Sequence, residues 1–201
     1  MAVNPDFHGG AERSAVALLI VDMINDLDFE GGPRLLRHAL PAAQAIRTLK
    51  RRAARAKAPT IYVNDNFGQW RSDFRQIVDH CGAEGACGAS LVEALRPEDD
   101  DYFVVKPKHS GFFSTTLELL LDSLGARRLI LTGIAADICV LFTANDAYMR
   151  GFEIVVPADC VASESTERAR QALDLMRRHL KADTGPSKAV DFAALAASVR
   201  N

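Results

Sequence analysis

The sequence has few cysteines, almost no net charge and no long apolar run, and each of these absences excludes a class of protein. Only 4 of the 201 residues are cysteine, which is too few for a disulfide-stabilised scaffold of this size. The formal net charge is -2, from 24 basic and 26 acidic residues, so charge gives no reason to expect a nucleic-acid or membrane partner. No apolar run approaches the ~20 residues that span a bilayer.

The N-terminal segment also lacks the features of a secretory signal. Residues 1–10 include polar and acidic side chains. They lack the apolar central region that a signal peptide requires. We therefore expect a cytoplasmic protein with reduced thiols. We also expect one domain over residues 1–201, preceded by a loose N-terminal arm at residues 1–13.

What the sequence does contain is a regular alternation of short aliphatic runs and longer helical patterns. The aliphatic runs predict strands at 16–21, 60–63, 102–105, 129–131, 153–156 and, briefly, 181–184. Helical periodicity predicts helices at 40–57, 72–80, 89–95, 114–124, 137–150, 165–180 and 191–199. Pro41 fits the first turn of the 40–57 helix. Continuous aliphatic strands separated by helices predict a three-layer α/β/α fold with a central, mostly parallel six-stranded sheet.

Four chemically useful side chains lie at or just past the ends of predicted strands. They are Asp22, Asp65, Lys106 and Cys139. In an open parallel sheet, ligands bind beyond the carboxyl ends of the strands. These residues are therefore predicted to share one edge of the sheet, although the sequence does not show the order of the strands.

Cys139 is the candidate nucleophile. It follows a predicted strand and a turn, and Asp137 is a plausible N-cap that would place the thiol in the first turn of a helix. The positive end of the helix dipole would then favour the nucleophilic thiolate. The backbone N–H groups of Ala135 and Cys139 are candidates for an oxyanion hole. A lone cysteine can also be a small core residue, and that is our interpretation of Cys160.

Asp22 and Lys106 are the charged residues predicted to act on that thiol. Asp22 could accept the thiol proton, or it could merely cap the loop that follows its strand. Lys106 directly follows an apolar strand, so we expect a buried stem and an ammonium group that pairs with Asp22. His109 is the alternative partner for the cysteine. We rank Lys106 above His109 because the strand fixes the direction of the lysine.

The loops beyond the second and third strands offer candidate substrate contacts. Phe67, Trp70 and Phe112 could line a pocket, and Asn64 could hydrogen-bond a substrate. Ordinary packing of the aromatic rings and a loop-holding role for Asn64 are the alternatives. Of the remaining cysteines, Cys81 and Cys87 lack partners at zinc-ligand spacing.

Several segments resemble the isochorismatase-like cysteine hydrolases, a superfamily that includes nicotinamidase and N-carbamoylsarcosine amidohydrolase. The resemblance covers about residues 14–184, and the motifs that carry it are at 18–26, 105–112, 131–140 and 155–163. It implies the isochorismatase-like fold and a catalytic triad of Asp22, Lys106 and Cys139. It also implies a cis peptide bond between Ile134 and Ala135, and assembly as a homodimer or homotetramer.

The sequence departs from the nicotinamidase branch at one place. That branch carries an Asp and two histidines after its second strand as a metal site, whereas here residues 64–70 contain no histidine. We therefore expect neither a metal nor another cofactor.

Together these features predict a hydrolase of a small amide or ureido C–N bond. Asp22 would take the Cys139 proton, the thiolate would form a thioester, and Asp22 would then protonate the leaving amine and activate water. Two alternatives remain open. One is an isochorismatase-type hydrolase of a vinyl ether, and the other is a catalytically silent member of the fold that acts as an interaction protein.

Overall fold

Six short strands form the sheet of this protein. The computed structural model describes residues 13–70 and 73–197, and in that part of the chain the strands are β1 (Val16–Val21), β2 (Thr60–Asp65), β3 (Tyr102–Lys106), β4 (Arg128–Ile134), β5 (Glu153–Val155) and β6 (Val161–Ala162). All of their pairings are parallel. The order is β3-β2-β1-β4-β5, and β6 pairs with the end of β4.

Helices cover both faces of this sheet. They are α1 (Gly32–Arg55), α2 (Phe74–Cys81), α3 (Ala89–Ala94), α4 (Leu117–Leu124), α5 (Leu141–Met149), α6 (Thr166–His179) and α7 (Phe192–Ala197). One apolar cluster joins the sheet to α1, α2, α3 and α7, and a second joins it to α4, α5 and α6. The predicted three-layer α/β/α fold with a six-stranded parallel sheet is confirmed.

Strand β1 shows why the chain needs helices on both faces. Its side chains alternate between the two apolar clusters, and all six residues are buried. Successive strand residues point to opposite faces, so an all-apolar strand is stable only where both faces are covered. The aliphatic sequence of β1 therefore requires the central position that it occupies.

The first helix corrects the prediction for residues 40–57. Helix α1 begins at Gly32, its first-turn proline is Pro33, and Pro41 lies inside the helix. The buried positions continue back through Ala39 to Leu35 at helical spacing, and this apolar stripe carries the helix through the proline. A side chain at position 32 would collide with the carbonyl oxygen of Leu27, so a glycine lets the preceding loop pass close to the helix start.

The sixth strand was predicted at the wrong place. Residues 181–184 make one isolated bridge, between Asp183 and Val155 of β5, and do not form a strand. The sixth strand is β6, where a short turn at Ala158–Cys160 returns the chain to β4. The sequence reads as a loop here because β6 has only two residues, too few to show a pattern.

The order of the strands creates a crevice at one edge of the sheet. The chain runs outward from β1 to β3 and then returns to place β4 on the other side of β1. Such a reversal separates the loops beyond β1 and β4, and ligands bind there in open α/β sheets. Asp22 follows β1 and Cys139 follows β4, so the two residues flank this crevice.

Three predictions fall partly outside the described residues. They are the N-terminal arm at residues 1–12, the start of the second helix at Ser72, and the end of the last helix at residues 198 and 199. Within the described residues, none of the helices has the length and apolar character needed to cross a membrane.

Candidate active site

The structure brings Asp22, Lys106 and Cys139 together at the carboxyl edge of the sheet. The Lys106 Nζ lies 2.9 Å from an Asp22 carboxylate oxygen and 3.5 Å from the Cys139 Sγ. The charge of Asp22 also acts on the Cys139 thiol and raises its pKa. These side chains come from positions more than thirty residues apart in the sequence, and the convergence predicted from the strand ends is present.

Close packing of β1 against β4 helps to hold these groups near each other. A Cβ atom at Gly133 would lie 2.0 Å from the backbone oxygen of Val21, so only glycine permits this approach. Asp22 follows immediately, with a backbone φ of 51°, a left-handed conformation that aspartate tolerates better than most residues. The turn at Asp22 thus begins where the two strands are in closest contact.

Lys106 reaches Asp22 from two strands away. It is the last residue of β3, where it pairs in register with Asp65 of β2. Its side chain is fully buried and passes over β2 to reach the end of β1. Removing an ammonium group from water is costly unless a counter-charge is present. Asp22 supplies that charge, with Asp65 3.5 Å away as a second acceptor.

Both oxygens of the Asp22 carboxylate are occupied by donors. One accepts the backbone N–H of Asp65 at 2.7 Å, and the other faces the Lys106 ammonium. Burial raises the pKa of Asp22 above its usual range, against the opposing pull of Lys106 and these hydrogen bonds. A carboxylate with a raised pKa is a stronger base than an ordinary one, which suits it to accept a thiol proton.

The protonation of Cys139 differs from the sequence prediction. Burial raises the pKa of the thiol to about 12, and the charge of Asp22 adds to this rise, whereas Lys106 acts in the other direction. The prediction that the helix dipole would favour the thiolate form of Cys139 was therefore wrong. The stabilisation of a thiolate by the dipole at a helix start is small. It is outweighed by the cost of burying a second anion next to a carboxylate. At neutral pH the resting group is a thiol.

The ammonium group is held in its charged form. Burial alone would lower the pKa of Lys106, but the charge of Asp22 and its further neighbours Cys139 and Asp65 outweigh burial, and the net shift is upward. The resting site therefore contains a protonated lysine that lies beside both a thiol and a carboxyl group.

The helix that carries Cys139 begins in an unexpected way. Residues Ala136–Val140 form a π-helical turn that leads into α5. The N-cap position of this turn is occupied by Ala135, not by Asp137. Asp137 was predicted as the N-cap and does not cap the turn, because its carboxylate accepts bonds from Ser163 at 2.5 Å and Arg168 at 2.6 Å. It ties the turn to the loop before α6 and to α6 itself.

The peptide bond between Ile134 and Ala135 is cis, as the family resemblance implied. It lies between the end of β4 and the turn that contains Cys139. The Ala135 and Cys139 N–H groups, which we predicted to form an oxyanion hole, lie on the same short segment as the thiol.

His109 also contacts the thiol, although the sequence suggested it only as a rival to Lys106. Its Nδ1 lies 3.8 Å from the Cys139 Sγ, and its ring packs at 5.5 Å against the ring of Phe142 in α5. Unlike Asp22 and Lys106, His109 is exposed to solvent.

The four predicted substrate-binding residues occupy different environments. Asn64 is fully buried, and its amide bonds the backbone N–H and carbonyl of Ile24, which holds the loop after β1. Phe112 is buried and packs against Phe152, which fits the alternative of ordinary packing. Phe67 is half-buried beside an apolar cluster. Trp70 is 79% exposed and presents a free aromatic surface.

No metal-binding arrangement is found in the part of the chain that the structure describes. Among residues 13–70 and 73–197, no group of three or more His, Cys, Asp or Glu side chains could hold an ion. Asp65 uses one oxygen to accept the backbone N–H of Phe67 at 2.7 Å and the other to face Lys106.

Comparison with known proteins assigns the chain to a family. A family model described as the isochorismatase domain matches residues 16–184. An uncharacterised isochorismatase-family protein of Bacillus subtilis, YaaI, is 45% identical over 167 residues, which cover 83% of this chain and 91% of that protein. The fold is that of an isochorismatase-like hydrolase. The chain belongs to the isochorismatase family.

Two further relatives are named as amidohydrolases or amidases. The ureidoacrylate amidohydrolase RutB of Methylorubrum extorquens is 30% identical over 173 residues, covering 74% of this chain and 70% of that enzyme. The crystal structure of N-carbamoylsarcosine amidase from Thermoplasma acidophilum matches with a TM-score of 0.67 at 27% identity, covering 88% of this chain and 98% of that chain.

Proposed function

We propose that this protein hydrolyses a small amide or ureido C–N bond through a thioester on Cys139, without a metal. The observation that carries the proposal is that one buried ammonium group, Lys106, lies 3.5 Å from the half-buried Cys139 thiol and 2.9 Å from the buried Asp22 carboxylate. A thiol whose pKa is about 12 attacks only if a neighbouring base removes its proton during the reaction. Asp22 shares the Lys106 ammonium with that thiol, and we propose it as this base.

The first half of the reaction forms the thioester. Asp22 accepts the thiol proton, and the sulfur attacks the carbonyl carbon of the substrate. As the proton moves, negative charge passes from the Asp22 carboxylate to the sulfur. The Lys106 ammonium lies beside both groups and stabilises this charge throughout. The N–H groups of Ala135 and Cys139 are proposed to bind the oxyanion. The leaving nitrogen takes up a proton as the C–N bond breaks, which releases the amine and leaves the acyl group on sulfur. Water then cleaves the thioester to give the free acid and the thiol.

The substrate class rests on two relatives and on one absence. RutB is named for a ureido substrate, and the Thermoplasma enzyme is named for a carbamoyl compound. Both names describe cleavage of a C–N bond next to a carbonyl group. The region after β2 has no histidine pair, so its side chains do not form the nicotinamidase type of metal site.

The test is loss of turnover on removal of the sulfur. Purified protein would be screened for ammonia release from nicotinamide and a panel of small amides and carbamoyl compounds. We expect Cys139→Ala and Cys139→Ser to abolish release, while Cys160→Ala, which removes a buried thiol outside the site, retains it. An active Cys139→Ala variant would disprove the proposal.

Mass spectrometry separates the proposal from its alternatives. A quenched reaction should contain a thioester on the peptide that carries Cys139. Hydrolysis of a vinyl ether without a covalent intermediate would leave that peptide unmodified during turnover. A silent interaction protein would release no ammonia from any compound of the panel.

A further inference from the structure

The thiol of Cys139 has two kinds of neighbour. Asp22 and Lys106 are buried, with exposed fractions of 4% and 0%, whereas His109 is exposed and lies 3.8 Å from the Sγ through its Nδ1. The ring of His109 packs against Phe142 in the first turn of α5. The thiol thus contacts a buried acid–base pair and also a solvent-accessible imidazole.

The buried carboxyl group is poorly suited to the later proton transfers. One Asp22 oxygen accepts the Asp65 N–H and the other faces Lys106. After Asp22 takes the proton from sulfur, these two partners still hold its carboxyl group in place. The leaving nitrogen and the water that follows it both exchange with solvent. An exposed group beside the sulfur serves these steps more directly than a buried one.

We propose that His109 is the second proton-transfer residue of the reaction. It donates a proton to the leaving nitrogen and then accepts a proton from the water that cleaves the thioester. This inference rests on the proposed function, because it requires an acyl group on Cys139. The leaving nitrogen and the sulfur are bonded to the same carbon, so a nitrogen within hydrogen-bond reach of Nδ1, about 3 Å, is compatible with the Sγ–Nδ1 distance of 3.8 Å.

The protons balance over one cycle. In acylation the S–H proton moves to Asp22, a C–S bond forms, the C–N bond breaks, and the imidazolium proton of His109 moves to the nitrogen. In deacylation neutral His109 takes a proton from water, the hydroxide oxygen bonds to the acyl carbon, and the C–S bond breaks. Asp22 returns its proton to sulfur. The net reaction is amide plus water giving acid plus amine, and both residues recover their starting forms.

The experiment uses p-nitrophenyl acetate, because its phenolate leaves without needing a proton. Wild type and His109→Gln would be mixed with the ester, and acetylation and loss of the acetyl group at Cys139 would be followed by intact mass. We expect similar acetylation rates but loss of the acetyl group about a hundredfold slower in His109→Gln, the size of a typical general-base contribution. His179→Gln, which changes another exposed histidine, is the matched control and should behave as wild type.

Three other outcomes are informative. Equal loss of the acetyl group in His109→Gln and wild type would overturn the assignment. Slower acetylation together with slower alkylation by iodoacetamide would make His109 the base for the thiol, which also contradicts the inference. If wild-type Cys139 is not acetylated at all, the proposed function itself fails, and the role of His109 fails with it. Thermal melting curves that coincide for all variants exclude loss of folding as the cause.

Discussion

At the scale of single residues, Asp22 is expected to affect thiol reactivity and catalysis in opposite directions. Its charge is one cause of the raised pKa of Cys139, yet it is also the proposed acceptor of the thiol proton. Asp22→Asn removes the charge and leaves Lys106 to stabilise a thiolate. We therefore expect faster alkylation by iodoacetamide at pH 7–8 than in wild type, while hydrolytic turnover falls by about a hundredfold or more.

Asp65→Asn is the matched control for this prediction. Asp65 is also a carboxylate near Lys106, at 3.5 Å, but the thiol does not depend on it as a proton acceptor. We expect a much smaller change in both rates, measured by mass spectrometry of the alkylated peptide and by ammonia release. Slower alkylation in Asp22→Asn than in wild type would show that the thiol pKa is governed by something else.

Replacing Lys106 by methionine should destabilise the fold as well as the reaction. The change removes the counter-charge of a buried carboxylate, and breaking such a pair costs about 3–5 kcal/mol. We expect urea unfolding at neutral pH to show a loss of this size, together with loss of turnover. The Asp22→Asn/Lys106→Met double variant should recover part of the free energy of unfolding, since neither charge then remains buried.

The pH dependence of that loss follows from the direction of the Asp22 shift. Burial raises the pKa of Asp22, and Lys106 is the largest of the effects that oppose this rise, so the pKa should rise further without Lys106. An acid whose folded pKa lies above its unfolded value favours the fold when protonated, so its contribution is greatest below the unfolded pKa and is lost as pH rises through the folded pKa. Lys106→Met should therefore lose less stability at pH 4 than at pH 8, and equal losses at both would contradict this account.

The three proposed catalytic residues could be identified from sequence, but their protonation could not. Asp22 and Lys106 end aliphatic runs and Cys139 follows one, and the geometry of a parallel sheet then places them together. The state of the thiol depends on burial and on a charge that is distant in sequence, and these oppose the local helix dipole. The contact between His109 and the thiol depends on the path of a loop, for which the sequence carries no periodic signal.

At the scale of elements, the π-helical turn Ala136–Val140 positions the thiol, and Asp137 anchors it. Its carboxylate bonds Ser163 and Arg168, which connects the turn to α6. Asp137→Asn keeps the shape but removes the charge that Arg168 needs. We expect turnover to fall by about ten- to a hundredfold, because small displacements of a reacting group are costly, and the free energy of unfolding to fall by only about 1 kcal/mol.

A second aspartate provides the control for this effect. Asp174 on α6 also pairs with arginines, Arg177 and Arg178, but it lies outside the site. Asp174→Asn should leave turnover unchanged in the same ammonia-release assay. Equal loss of activity in both variants would indicate a general effect of disturbing α6, and the role given to Asp137 would be wrong.

Element boundaries failed where local signals competed with tertiary contacts. Asp137 has the residue type of an N-cap, but its carboxylate accepts hydrogen bonds from a distant serine and arginine instead. Pro41 has the residue type of a helix start, yet the buried stripe from Leu35 onward extends the helix past it. In both cases the deciding partner is remote in sequence, so propensity alone selects the wrong residue.

At the scale of the whole molecule, the class of fold followed from the alternation of aliphatic and helical segments, whereas the strand order did not. The crevice between β1 and β4 results from the return of the chain across β1. Local sequence patterns do not indicate this return. The choice of substrate is likewise expected to depend on loops, such as the one after β2 that carries Trp70. The Trp70 ring is largely exposed in this chain. Whether it contacts a substrate therefore depends on what packs against it in the assembled protein.

The exposed apolar side chains of α5 lead to a prediction about assembly. Phe142 and Met149 lie seven residues apart, on one face of the helix, and are 51% and 73% exposed. Apolar residues aligned in this way are typical of a protein interface. We expect a homodimer or homotetramer, as the family resemblance implies, with this face of α5 in the contact.

Light scattering after size-exclusion chromatography measures the assembly directly. Met149→Glu places a charge in the proposed contact and should shift the protein toward the monomer. Leu175→Glu, which changes an exposed apolar residue of α6, is the matched control and should leave the mass unchanged. A monomeric wild type, or an unchanged mass for Met149→Glu, would show that this face of α5 is not a contact between copies of the chain. Because Phe142 also packs against His109, a contact at this face would bring the neighbouring subunit close to the proposed active site.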